Sequence, residues 1–212
     1  MRRLPVYLVL DTSGSMTGEP IQAVENGMQM LVSALRQDPQ ALESAFLSVI
    51  TFNTQAEQIV PLTDLASFQM PSLTAAGVTE LGAALTLVRD CAQKEISKST
   101  PEKKGDWRPL VFLMTDGAPT DSWQKGLSEF QASRWGMVVC CAAGQSADTT
   151  VLKQISPECV VKLDTADSKS LSAFFKWVSS SISTSSKSVN EGNKELSGVE
   201  QLPPLPPEIS IA

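Results

Sequence analysis

The sequence predicts an α/β fold: a doubly wound, mostly parallel sheet with helices on both faces and one antiparallel edge strand. Three observations carry this. Short apolar runs alternate with stretches whose apolar residues recur at helical spacing, the pattern of strands joined by crossover helices. Two of the apolar runs stop abruptly at an aspartate, Asp11 and Asp116. One strand contains a proline, Pro61, which cannot donate to a ladder and so belongs at a sheet edge.

The elements follow in order. Residues 6–10 are apolar without alternation and read as a strand buried on both faces. Gly14 permits a tight turn. Gly18-Glu19-Pro20 starts a helix. Ile21, Val24, Met28, Leu31, Val32 and Leu35 give that helix one apolar face. Asp38-Pro39 ends it. Residues 45–52 form the second strand and 56–62 a weaker third. After a loop of small residues at 71–79, Leu81, Ala84, Leu85, Val88, Cys91 and Ala92 mark a second helix. Residues 99–108 are polar and read as an exposed loop. Residues 110–115 make another buried strand, and Asp121 or Ser122 caps the helix that follows, turning Trp123, Leu127 and Phe130 inward. A strand at 137–143, a short helix at 149–155 and a final strand at 160–163 complete the alternation. Leu171, Phe174, Phe175, Val178 and Ile182 line a last helix.

A length of 212 residues suits one domain plus a tail. From Ser179 onward serine dominates, and the chain closes on Leu202-Pro203-Pro204-Leu205-Pro206-Pro207. The expectation is a domain over 1–184 and a flexible tail over 185–212, a linker followed by a polyproline II segment. That segment is either a spacer or a ligand for an aromatic groove.

Composition excludes several functions. The net charge is −6, so no basic face invites nucleic acid. There is no histidine, which removes Ser-His-Asp and Cys-His catalysis. The four cysteines, at 91, 140, 141 and 159, form no Cys-x-x-Cys pair, and Cys140 and Cys141, inside an apolar run, read as small hydrophobes. The N-terminal apolar run ends at Leu10, too short to span a membrane. The expected setting is the reduced cytoplasm, with no membrane partner.

Right-handed crossovers put every strand-to-helix loop on one sheet edge, where such folds bind ligands. Asp11, Asp116 and Thr79 all fall there. Asp11, Ser13 and Ser15 stand at alternate positions and offer one carboxylate and two hydroxyls, the hard oxygen donors that Mg²⁺, Ca²⁺ or Mn²⁺ prefers. Each residue also has an ordinary use: Asp and Ser cap loop amides, Thr79 a helix start, Asp116 a turn. Competing chemistries lack their parts. A haloacid-dehalogenase-type phosphotransferase wants a second Asp where Ser13 stands, and a receiver domain an acidic cluster beside Asp11. Neither a Gly-x-x-x-x-Gly-Lys-Ser/Thr loop nor a Gly-x-Gly-x-x-Gly turn is present. Trp107 and Trp123 are expected near the binding edge, Trp123 as core and Trp107 as a surface contact. Lys103-Lys104 reads as a solvated charge pair.

Three separated pieces resemble the von Willebrand factor A domain with a metal-ion-dependent adhesion site. They are Asp11-x-Ser13-x-Ser15, Thr79 within Gly77-Val78-Thr79-Glu80-Leu81-Gly82, and Thr115-Asp116-Gly117. They occur in the family's order, and the resemblance covers roughly residues 4–183. One departure is Val78, where relatives often carry a second glycine. The resemblance implies a Rossmann-like fold and a metal site of Asp11, Ser13, Ser15, Thr79 and Asp116. Ser13 and Ser15 would bind directly; the others would bind directly or through water. It further implies a non-enzymatic binding module that takes an Asp or Glu from a protein partner onto Mg²⁺, Mn²⁺ or Ca²⁺. The chain looks most like bacterial TerY-type tellurium-resistance proteins, which points to stress signalling with a kinase or phosphatase as partner. The competing reading is a metal-dependent phosphoryl-transfer enzyme using Asp11.

Overall fold

The computed structural model describes residues 2–192, 194–196 and 199–212. Seven strands form one sheet in the order β3-β2-β1-β4-β5-β6-β7. They are β1 (Leu4–Asp11), β2 (Ala45–Phe52), β3 (Ala56–Asp64), β4 (Leu110–Thr115), β5 (Met137–Ala143), β6 (Val160–Leu163) and β7 (Ile209–Ile211). The five strands from β2 to β6 run parallel, and β3, with Pro61, is the expected antiparallel edge. A second antiparallel strand, β7, closes the opposite edge against β6.

The helices are α1 (Glu19–Gln37), α2 (Pro39–Ser44), α3 (Leu81–Glu95), α4 (Trp123–Gln131), α5 (Thr149–Ile155) and α6 (Ser168–Glu191). Alternation along β1 sorts them into two layers. Leu4, Val6, Leu8 and Leu10 join the core under α1 and α6, while Tyr7 and Val9 join the core under α3, α4 and α5. Strand β1 lies between β2 and β4, and chain connections leave it in opposite directions. The C-terminal ends of β1 and β4 therefore flank the crevice that doubly wound sheets use for ligands.

The structure alters three expectations. Asp38-Pro39 ends α1 but also starts α2, because Asp38 Oδ1 accepts the N–H groups of Gln40 and Ala41 and Pro39 occupies the first helical turn. The flexible tail expected over 185–212 is in large part packed. Helix α6 continues to Glu191 with Ser185, Ser186 and Val189 buried; farther on, Leu202 and Ile209 are buried and Trp177 donates to the Pro203 carbonyl at 2.9 Å. Residues 193, 197 and 198 of that expected tail lie outside the described set. Small serine side chains explain the packed helix: Ser181 and Ser185 return their hydroxyls to the carbonyls four residues back, and of these buried serines Ser186 alone has no hydroxyl partner among the described residues. The 99–108 loop is exposed at Lys103 and Lys104 but folds inward at its end. Asp106 binds Arg3 at 2.6 Å, and Trp107, 6% exposed, donates its backbone N–H to the Arg3 carbonyl.

Candidate metal centre

Strand β1 is buried along its whole length and delivers Asp11 to the sheet edge at 0% exposure. Its carboxylate is fixed from two sides. Oδ1 accepts the Ser13 backbone N–H at 2.7 Å, and Oδ2 accepts the Thr115 hydroxyl at 2.5 Å. Thr115 is the last residue of β4, so neighbouring strands share the contact. The chain then turns through a short 3₁₀ segment at Gly14–Met16, which brings the Ser13 and Ser15 hydroxyls within 3.1 Å of each other. Ser15 Oγ donates to Asp116 Oδ1 at 2.8 Å. Asp11, Ser13, Ser15 and Asp116 thus form one hydrogen-bonded cluster.

Thr79 reaches the same place from the β3–α3 connection. That loop is laced to the β1 turn by backbone bonds from Gly14 to Gly77 and from Ala76 to Thr12. Gly77 adopts φ 75°, where a side chain would also collide with Thr54. Val78, the departure from the family pattern, is 45% exposed and donates its N–H to Thr54 Oγ1, so the loop closes without a second glycine. Thr79 is bracketed by Thr120, which accepts Thr79's N–H on its hydroxyl and donates its own N–H to Thr79's carbonyl. A Cβ on Gly117 would stand 3.6 Å from Thr79 Oγ1, so the hydroxyl faces the Asp116-Gly117 turn.

The supporting roles of three residues escaped the sequence reading. Thr115 had a legible signal, a polar residue closing an otherwise apolar strand. Thr120 and Asp121 had none. Asp121 does not cap its own helix α4. Its two oxygens accept the N–H groups of Gly82 and Ala83 and so cap α3. The tryptophans are reversed from expectation: Trp107 is buried at the far edge of the sheet, and Trp123 is half-buried against the α3–α4 layer.

Burial pushes the Asp11 carboxyl above the ordinary range; bonds from Ser13 and Thr115 pull it back and the charge of Asp116 adds to the rise. Burial also pushes up Asp116, opposed by the Ser15 bond. Among the described residues no Lys or Arg pairs with either. Nor is there a cluster of three or more His, Cys, Asp and Glu. The donor set is two carboxylates and three hydroxyls, all oxygen, with no counter-charge from the described residues. That chemistry fits a hard divalent cation.

A sequence profile of the von Willebrand factor type A domain matches residues 6–177. The chain belongs to this family. Among solved structures, the von Willebrand factor A fold is shared with proximal thread matrix protein 1 of the mussel byssus. In a form described as having a zinc-occupied MIDAS motif, it is 20% identical with a TM-score of 0.61, over 84% of this chain and 48% of that one. A von Willebrand factor type A protein from Catenulispora acidiphila is 15% identical with a TM-score of 0.64, over 86% and 43%. The pilus adhesin SpaC of Lactobacillus rhamnosus GG is 16% identical with a TM-score of 0.67, over 87% and 31%. These likenesses are of fold, and the chain spans about half the length of the mussel protein. No curated protein sequence matches it. No helix among the described residues is long and apolar enough to cross a membrane.

Proposed function

We propose that Asp11, Ser13, Ser15, Thr79 and Asp116 hold one divalent cation, Mg²⁺ or Mn²⁺, and that this edge docks a protein partner through an Asp or Glu side chain. The observation that carries the reading is the cluster itself. Two burial-perturbed carboxylates and their hydroxyl partners converge from three loops without a basic side chain to balance them.

The division of labour follows from placement. Asp11, buried and held by Ser13 and Thr115, orients the first loop. Ser15, exposed, and Asp116, half-buried, face the outside and meet the incoming ligand. Thr79 closes the third side. A bound dication reverses the sign of an acidic edge and accepts one external carboxylate. A chain of net charge −6 otherwise repels an acidic partner at long range.

Phosphoryl transfer from Asp11 is disfavoured, because that carboxylate is fully buried and both oxygens are engaged. A non-enzymatic module remains the reading. The setting proposed with it is a TerY-type stress or tellurium-resistance system in the cytoplasm, with a kinase or phosphatase as partner, and it rests on motif resemblance. The zinc-occupied motif of the mussel protein and the pilus adhesin among the structural neighbours support the general class of metal-bearing interaction domains.

Calorimetry with Mg²⁺ and with Mn²⁺ tests the site. One binding event is expected, weakened strongly by Asp11→Ala, with the fold intact. Partner capture from the native cell should disappear with EDTA and return with Mg²⁺. Capture indifferent to both EDTA and Asp116→Ala would move the interface elsewhere.

A further inference from the structure

A second concavity lies on the opposite edge of the sheet, at the N-terminal ends of β4 and β5, where α3 and α4 end. Its volume is about 390 Å³, within the range of small-molecule sites. Cationic side chains from separate elements line it: Arg89 from α3, Lys98 from the loop after it, Arg108 before β4 and Arg134 after α4. Trp135 supplies apolar wall, beside the buried Trp107, on whose ring the Arg2 guanidinium is stacked at 3.4 Å. Trp135 is stacked on Phe130 at 4.5 Å and its indole N–H is satisfied by the Phe130 carbonyl, so its orientation is fixed.

The carboxylates of this neighbourhood are already committed. Asp106, the one acid lining the cavity, is bound by Arg3 at 2.6 Å. Asp90 and Glu129 pair with Arg89, whose Nε is nevertheless buried without a hydrogen-bond partner. Glu195 accepts the Arg108 backbone N–H at 2.7 Å and faces its Nε at 3.3 Å. Lys98 and Arg134 have no ion-pair partner among the described residues. The cavity therefore presents uncompensated positive charge beside planar apolar wall in an acidic protein.

We infer that this cavity binds a small organic anion, a carboxylate on a planar apolar body. The aromatic body lies against Trp135, next to Trp107, and the carboxylate faces Arg134 and Lys98, with guanidinium geometry suited to a two-point bond. The site is independent of the metal edge, which lies at the other ends of the same strands.

The test uses the full chain and naphthalene-2-carboxylate as probe. Titration followed by ¹⁵N–¹H spectra should move the indole N–H signals of Trp107 and Trp135 and leave Trp123 still. Arg134→Glu and Lys98→Glu, both at exposed positions, should each weaken binding about tenfold, the effect of losing one charge-assisted bond. The neutral naphthalene-2-carboxamide should bind about as weakly. Asp116→Ala should change nothing. Equal binding of acid and amide, unchanged affinity in both charge reversals, or still Trp107 and Trp135 signals at millimolar probe would each overturn the assignment.

Discussion

Replacing Thr115 with valine removes one hydroxyl from the centre of the metal edge and almost nothing else. The two side chains have nearly the same shape, and Thr115 is 1% exposed. What is lost is the 2.5 Å bond to Asp11 Oδ2 and the weaker 3.3 Å bond accepted from the Gly117 N–H. Asp11 is fully buried, so water does not replace the missing donor. A bond to a buried charge contributes about 1.5–3 kcal/mol, which gives an expected loss near 2 kcal/mol at neutral pH. The sign with pH follows from linkage. Burial holds Asp11's folded pKa above its unfolded value, so charging it costs stability as pH rises through the carboxylate range. The Thr115 bond limits that cost. Without it the folded pKa climbs further, and the deficit of the variant opens above the unfolded pKa. Well below it, Asp11 is protonated in both proteins and the deficit shrinks toward a neutral bond, about 1 kcal/mol. Urea unfolding of metal-free protein at neutral and acid pH reads this difference directly. Mg²⁺ affinity of the variant should fall about 10- to 100-fold, as for other residues that orient a metal ligand. A pH-independent deficit, or unchanged Mg²⁺ affinity, would refute the role given to Thr115.

Four further outcomes are expected. Asp116→Ala should abolish most Mg²⁺ binding while shifting the melting temperature little, because the residue sits on a half-buried loop end; a large drop in melting temperature would make it structural. Gly27→Ala should destabilise by about 1–3 kcal/mol, since the new methyl overlaps the buried ring of Phe175 and both helices are packed; a neutral result in urea unfolding would show that α1 and α6 slide freely. Deleting residues 199–212 should lower the melting temperature. It uncovers β6 and removes the buried side chains of Leu202 and Ile209, each contributing about 1.5–3 kcal/mol when buried; an unchanged melting temperature would restore the tail to a spacer. Arg3→Gln should weaken the protein at neutral pH and matter less in acid. Burial raises the Asp106 carboxyl, but Arg3 and the Ser97 N–H outweigh it and hold it below the ordinary range, so the contribution is present above that range and is lost as pH falls through the lowered pKa; parallel stability-versus-pH curves for the two proteins would contradict it.

The strands and helices were legible because each obeys a single period. Residues 6–10 and 110–115 are buried on both faces and, apart from the Tyr7 hydroxyl, carry no polar group before their ends, while α1 and α3 keep one apolar face. The convergence of Asp11 and Asp116 was legible for a topological reason: handed crossovers leave no other edge for the loops after β1 and β4. Strand β3 is antiparallel and ends at the opposite edge, so only the long 65–80 connection returns Thr79 to Asp11, Ser13, Ser15 and Asp116. What supports them was not legible. Thr120 and Asp121 act across space on Thr79 and on α3, and no local pattern records a partner forty residues away. The tail was misread because its serines were judged by polarity alone. Their small size lets α6 lie close against α1, and the Ser185 hydroxyl pairs within the helix, while that of Ser186 is buried without a partner among the described residues. The short strand at 209–211 has too little sequence to announce itself and exists because β6 presents an open edge for it to pair. Local pattern thus determined the elements and the edge that carries the chemistry. Only tertiary packing decided which hydroxyls steady the carboxylates, where Trp107 lies, and that the chain's end belongs to the sheet, because those depend on contacts between segments remote in sequence.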